Sequence, residues 1–293
     1  MVRRAKPLLG TFVEIAVDDV AGAQAEDAID AAFAAVARVH ALMSFHDSGS
    51  DLSRLNAAAG SAVAIDAWTY TVLQAALELN RRSNGLFDIG VAPVLQRLGM
   101  LPAAPARSHG RRERRSRDGF ELLPNEVARL QPDIRIDLGG IAKGFAVDRA
   151  VAALQERGIP SGLVNAGGDL KVFGANAHTI HIRDPRDPAA VLAAVALRDE
   201  ALATSAGRCD PFRGRSVGEC TIIETGSGAP VCAIRGASVR AASCMMADAL
   251  TKVVMIAGEG AGAVLDHYGA RALFLTDAGE ICASADRQVR CAD

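Results

Sequence analysis

Thr11 to Val17 alternates β-branched apolar and polar positions, the period-two signature of a half-buried strand. From Ala23 to Leu42 the period changes. Ala28, Ile29, Ala32, Phe33, Val36 and Val39 recur at three- and four-residue spacing, which predicts a long amphipathic helix. The stretch MSFHDSGSDLSRLNAAAG is polar and glycine-broken, a loop running into a short helical turn. Asp66 stands where it caps a helix through Trp68 to Ser83. SNGLFDIGVAPVLQRLG then reads as a turn, a few ordered residues and a short helix after Pro93. Residues 102–118, PAAPARSHGRRERRSRD, show no periodicity and predict a surface loop.

From Phe120 the pattern is strand, turn, then IRIDLGGIAKGFAVDRAVAALQERG, read as a strand entering a glycine turn and a helix that ends at Gly158. SGLVNAGGDLKVFG predicts a strand, a glycine turn ending in Asp169, and another strand. HTIHIRDP is a strand stopped by Asp184-Pro185, and strands with polar turns continue through ALATSAG and ECTIIETGSGAPV. ASCMMADALTKVVMIAGEG predicts a buried helix, AGAVLDHYG a further helix and ALFLTD a strand. Strands occur both singly between helices and as hairpins, so the class is α+β with mixed sheets.

Composition narrows the function classes. The chain has 293 residues, 50% of them hydrophobic, ample for a sizeable core in one domain or two. A formal net charge of −2 gives no overall pull toward nucleic acid or anionic membrane. With 4% aromatic residues, a surface of stacking platforms for single strands is not expected. The arginine cluster within 102–118 is short, contains acids and lacks aromatics, so it reads as a solvated loop. The cysteines at 209, 220, 232, 244, 282 and 291 include no pair at zinc-knuckle or redox spacing and read as free thiols. The opening MVRRAKPLLGTFVEIAV is interrupted by Pro7, Gly10 and Glu14, which is not a signal-peptide core, so a cytoplasmic location is expected.

Chemistry-bearing residues are few. A glycine turn that opens a helix, as in IDLGGIAKGFAVD, lets backbone amides approach an anion, and Lys143 one turn in can pair with a phosphate or carboxylate. In NAGGDL, Asp169 either caps a turn amide or faces a ligand. GEGAG at 258–262 reads as helix termination. Asp248 lies in an apolar helix, with Thr251 and Lys252 three and four positions on. It reads either as a surface ion pair with Lys252 or as a metal or phosphate site. His178 and His181 fall on opposite strand faces and make a poor metal pair, while His40 and His267 sit in amphipathic helices as structural residues.

Taken in order, LLGTFVEI, MSFHDSGSDLSRLN, NGLFDIGVAPV, IDLGGIAKGFAVD, NAGGD, IRDP, ATSAG and MADALTK resemble the successive motifs of the ApbE-like FAD:protein FMN transferases, over nearly the whole chain. The resemblance implies a fold of mixed, largely antiparallel sheets flanked by helices with FAD in a cleft, either as one domain over 1–293 or as two intertwined subdomains. It also implies transfer of FMN from FAD to a Ser or Thr hydroxyl of an acceptor protein with release of AMP, assisted by Mg²⁺. Carried over by motif, Leu86, Phe87, Asp88, Asp137 and Lys143 contact FAD. Leu9 and His46 stand where the family has methionine and an aromatic residue, and Asp169, Thr204 and Ile222 complete the flavin set. The implied metal site is the Gly140 carbonyl, the Asp248 carboxylate and the following turn with Thr251.

Two departures from the family pattern bear on that activity. Lys252 occupies the place of a metal-site threonine, with Thr251 one residue early, which implies weaker metal binding. Thr221 stands where the family carries a histidine, the favoured general base, and a hydroxyl cannot replace imidazole near neutral pH. Glu224 or Asp248 is left to take the proton. Three functions are therefore compatible with the resemblance: FMN transferase, FAD pyrophosphate hydrolase giving FMN and AMP, and a non-catalytic FAD carrier.

Overall fold

The computed structural model describes residues 1–20, 22–102, 119–206, 222–225, 227–231, 233–284 and 290–291. Strands β1 (Val2–Leu8) and β2 (Thr11–Val17) precede helix α1 (Ala23–Met43), then α2 (Asp51–Ala57) and β3 (Ala62–Ala64). Helices α3 (Ala67–Arg82) and α4 (Ala92–Arg97) follow, then β4 (Phe120–Leu123), β5 (Val127–Leu130) and α5 (Ala142–Glu156). The second half runs β6 (Gly162–Ala166), β7 (Asp169–Phe173), β8 (His178–Asp184), β9 (Asp187–Leu197), β10 (Ala201–Ala206) and β11 (Ile234–Ala241). It closes with α6 (Cys244–Ala257), α7 (Gly262–His267), β12 (Arg271–Thr276), β13 (Ile281–Ala283) and β14 (Arg290–Cys291).

The fold is α+β, built on an eight-stranded antiparallel sheet in the order β1-β2-β6-β7-β10-β11-β12-β13. Alternation along its strands divides two cores. Val13, Ile15 and Val17 of β2 face the cluster that holds Ala28, Ile29, Val36, Ala150 and Val254 from α1, α5 and α6. Ala16, Leu163, Val172 and Leu202 point the other way, onto Ile182, Ala193, Val195 and Leu197 of the small sheet β14-β9-β8. Both faces of the main sheet are thus covered, helices on one side and a second sheet on the other. The edge strand β1 carries Arg3, Arg4 and Lys6, exposed charges that oppose edge-to-edge pairing. A third sheet, β3-β5-β4, lies beside α2 and α3.

Helix boundaries follow local chemistry. Asp66 accepts a hydrogen bond from the Trp68 amide at 2.9 Å and caps α3, as its position predicts. Gly258 terminates α6 at φ 54°, and a 3-10 turn over Gly258–Ala261 leads into α7. The stretch IRIDL is not a strand. Both backbone groups of Ile136 are taken by the Asn56 amide at 2.9 Å, and the Asp137 amide donates to the Ile89 carbonyl at 2.8 Å. Its hydrogen bonds therefore go to a side chain and a neighbouring loop instead of a ladder. Residues 187–197, rich in alanine, form β9 because pairing with β8 buries Leu192, Ala193, Val195 and Leu197. Among the described cysteines, Cys244 and Cys282 are free. Residues 103–118 of the expected surface loop lie outside the described set. No helix among the described residues is long and apolar enough to cross a membrane.

Candidate active site

Two helices meeting at their N-terminal ends form the floor of the site. Asp148 of α5 accepts the Cys244 and Met245 amides at 2.9 and 2.8 Å, satisfying the first donors of α6. Ser243 Oγ accepts the Met246 amide at 3.3 Å. Gly144 is where the helices touch. A Cβ there would lie 2.6 Å from the Cys244 carbonyl carbon and 2.8 Å from Asp248 Cβ, so only glycine permits this approach. Its free amide donates to Asp248 Oδ2 at 3.0 Å.

Four charges then alternate across the floor: Asp169, Lys143, Asp248 and Lys252. Lys143 Nζ is hydrogen-bonded to Asp169 and lies 3.9 Å from Asp248 Oδ2. Lys252 Nζ bonds Asp248 Oδ1 and donates to the Asp248 carbonyl at 3.0 Å. Asp248 is fully buried, so its pair with Lys252 is no surface ion pair. Burial pushes the Asp248 carboxyl upward, but Lys143, Lys252 and the Gly144 amide outweigh it and hold the pKa below the ordinary value. Asp169 is held above its ordinary value, because burial and the neighbouring Asp248 charge exceed the pull of the two lysines. For Lys143, burial lowers the pKa, yet Asp169 and Asp248 more than compensate and keep the ammonium charged. Asp169 therefore does not cap its turn; Asn165 Oδ1 accepts the Gly168 amide instead, at 2.9 Å.

Of the residues carried over to the flavin by resemblance, most sit on turns and loops, while Thr204 belongs to β10. Leu9 (φ 55°) and Gly10 (φ 71°) form the two-residue turn of the β1–β2 hairpin, with positive φ at both central positions. Leu86, Phe87 and Asp88 follow α3 in a braced loop. Ser83 Oγ accepts the Phe87 amide at 3.1 Å, Asn80 Nδ2 donates to the Phe87 carbonyl at 2.7 Å, and Asp88 Oδ1 accepts the Gly90 amide at 2.8 Å. Burial raises the Asp137 pKa, while the Gly139 amide, which donates to Asp137 Oδ2 at 2.9 Å, and the nearby His46 pull it back. Thr204 shares a 2.8 Å hydrogen bond with Ser238. Ile222 is buried in the main core.

The remaining candidates divide. Glu224 is exposed on a short hairpin closed by the Ile223–Pro230 bridge, and it accepts from Ser227 Oγ. Thr225 beside it donates to the Gly85 carbonyl at 2.6 Å, tying that hairpin to the Leu86–Asp88 loop. Thr221 lies outside the described residues. Asp148, which aligns α5 with α6, closes the IDLGGIAKGFAVD motif but carries no sequence signal of that role, since its partners are backbone amides.

The implied metal set, Gly140, Asp248, Thr251 and Lys252, does not suit a divalent ion held by the protein. Asp248 Oδ1 is bonded to Lys252 and Oδ2 to the Gly144 amide. Thr251 Oγ1 is engaged with the Asp248 carbonyl and Ser205 Oγ, each at 2.7 Å. Mg²⁺ takes oxygen ligands with residual negative charge, and here two ammonium groups already neutralise the two carboxylates.

Fold and site thus define an α+β protein with a largely buried, ion-paired cluster at the junction of two helices. The ApbE family model matches residues 9–274, so the chain belongs to the ApbE family. An FAD:protein FMN transferase from Vibrio cholerae is 31% identical over 234 residues, 75% of this chain and 70% of that protein. One from Rhodobacter capsulatus is 30% identical over 300 residues, 97% of this chain but 57% of its own length, so this chain spans little more than half of it. An ApbE protein from Thermotoga maritima superimposes with a TM-score of 0.84 at 26% identity, covering 97% and 96% of the two chains. Flavin transferase ApbE from Vibrio cholerae does so at 0.80 and 25%, covering 97% of each.

Proposed function

We propose that this chain is an FAD:protein FMN transferase, moving the FMN half of FAD onto a Ser or Thr hydroxyl of an acceptor protein and releasing AMP. The observation that carries this reading is Lys143, a charged ammonium clamped between two buried carboxylates at the start of α5, in a chain of the ApbE family. Phosphoryl transfer asks the protein chiefly to position reactants and neutralise charge, and a clamped ammonium beside a glycine turn does both.

In the reaction the acceptor oxygen attacks the FMN phosphorus. The bond from that phosphorus to the bridging oxygen breaks, and AMP leaves with its electron pair. In this reading Leu9, His46, Leu86, Phe87, Asp88, Asp137, Thr204 and Ile222 serve the flavin half, and Lys143, held by Asp169, meets the pyrophosphate. Asp248 is a poor base, with a lowered pKa and both oxygens occupied. That leaves Glu224, exposed on a hairpin anchored to Gly85, as the carboxylate for the hydroxyl proton.

The test is incubation with FAD and Mg²⁺, with and without a flavin-acceptor domain, measuring AMP and protein-bound flavin. AMP together with labelled acceptor is the expected result. AMP without labelling would make the chain a hydrolase, and stoichiometric FAD binding without AMP would make it a carrier.

A further inference from the structure

We propose that Lys252 is a built-in cation standing where a divalent ion would bind, so that cleavage of FAD by this chain needs no metal held by the protein. The inference rests on the transferase reading for the identity of the substrate, but not for the place of the ammonium.

Position is the first argument. The Lys252 stem lies across the glycine turn, its Cε 3.4 Å from where a Cβ on Gly140 would stand, and Phe87 lies 3.7 Å from that same point. The ammonium ends on Asp248 Oδ1 and the Asp248 carbonyl. It therefore bridges the Gly140 turn and the Asp248 carboxylate, the two groups an ion would have to bridge. Its side chain is 17% exposed, mostly covered but still open to solvent in part.

Charge is the second argument. Asp169, Asp248, Lys143 and Lys252 sum to zero, so an entering dication would meet no net negative charge. It would also have to displace an ammonium from a fully buried carboxylate, stranding one charge or the other. Thr251 offers no easy alternative, because its hydroxyl closes a hydrogen-bond chain from the Asp248 carbonyl to Ser205.

Donor count is the third. An ammonium has three N–H donors. Lys252 directs two at Asp248, which leaves one for a phosphate oxygen. Lys143 directs one at Asp169 and keeps others for the same pyrophosphate. The two lysines flank Asp248 and offer N–H donors to the substrate from a tetrad that is neutral overall, Lys252 bringing one positive charge to the place where Mg²⁺ would bring two. A lysine exerts this as a hydrogen-bonding point charge and not as an exchangeable Lewis acid.

The experiment compares wild type, Lys252→Thr and Lys252→Met in two independent assays. The first is AMP release from FAD in EDTA and in Mg²⁺. Wild type should be unchanged within about threefold between the two, while Lys252→Thr should lose tenfold or more in EDTA and recover in Mg²⁺, on the order of one lost charged donor. Lys252→Met, which keeps the bulk without the charge, should lose activity in EDTA to a similar degree. The second assay is Mn²⁺ binding followed by electron paramagnetic resonance without FAD, where Lys252→Thr should bind about tenfold tighter or more than wild type. Abolition of wild-type AMP release by EDTA, restored by Mg²⁺, would overturn the inference while upholding the transferase reading. Equal Mn²⁺ affinity in wild type and Lys252→Thr would also overturn it. Should no AMP appear under any condition, the transferase reading fails and the Mn²⁺ comparison alone decides the place of the ammonium.

Discussion

Gly144→Ala tests the junction on which the site stands. The new Cβ would lie 2.6 Å from the Cys244 carbonyl carbon and 2.8 Å from Asp248 Cβ, with the Cys244 carbonyl oxygen closer still. Two of these neighbours are backbone, so relief requires α5 and α6 to separate. Separation weakens the Gly144 amide bond to the buried Asp248 carboxylate, a charged hydrogen bond contributing about 1.5–3 kcal/mol. Overpacking adds a cost of about 1–3 kcal/mol. Alanine returns up to about 1 kcal/mol through helix propensity. The net is a destabilisation of about 1.5–6 kcal/mol, a large share of the stability of an ordinary domain. Urea unfolding followed by Trp68, the one tryptophan of the chain, reads it as a lower midpoint. Gly262→Ala is the control: that position is helical (φ −50°) with open space around a Cβ, so it should be neutral or stabilising by up to about 1 kcal/mol. A Gly144→Ala protein within about 0.5 kcal/mol of wild type would refute the reasoning, since α5 and α6 would then slide apart at no cost.

Three further outcomes are expected. Asn56→Ala strips both hydrogen bonds from the Ile136 backbone and should lower stability by about 2–4 kcal/mol in the same urea assay, whereas a shift under about 0.5 kcal/mol would show that water replaces the amide. Lys143 has a pKa raised above 10.5 in the folded state, so its stabilisation is full below pH 10.5 and is lost as pH rises through the folded value. Asp248, lowered from 3.8, contributes fully above pH 3.8 and loses its share as pH falls through the folded value. The thermal midpoints of wild type and Lys143→Met should accordingly differ most between those limits and draw together as pH rises above 10.5; a gap that stays constant above pH 10.5 would disprove the ionic account. Thr225→Val removes the 2.6 Å bond to Gly85 and should weaken FAD binding several-fold at a stability cost of about 1 kcal/mol, and an unchanged FAD titration would separate that hairpin from the flavin loop.

How much was legible in the chain depends on how local each cause is. The long helix α1, the Asp66 cap and the glycine stop at Gly258 follow from spacing and capping, which act within one or two turns. IRIDL carries the alternation of a strand, but Asn56, far away in sequence, takes the Ile136 hydrogen bonds. Strand β9 escaped notice since its alanines favour helix in isolation, and only pairing with β8 over a second core overrides them. The site shows the same division. Its motifs place Lys143, Asp169 and Asp248 in the right segments, but a one-dimensional pattern cannot tell a surface pair from a buried tetrad. Asp148 is the clearest loss, for its partners are backbone amides of another helix and leave no mark in side-chain spacing.

The separations within the site also set an order of assembly. Asn56 waits 80 residues for Ile136, and Gly144 waits 104 for Asp248. Strand β2 emerges early in synthesis, yet its inner neighbour β6 lies beyond five helices. Closing such long loops costs chain entropy before any contact repays it, so the main sheet is slow to form and its apolar β2 face stays uncovered meanwhile. The tetrad completes only after α6 has been made. A ribosome-bound chain ending after α5 accordingly displays Lys143 without Asp169 or Asp248 to clamp it, and capture of flavin becomes one of the last events in the maturation of the molecule.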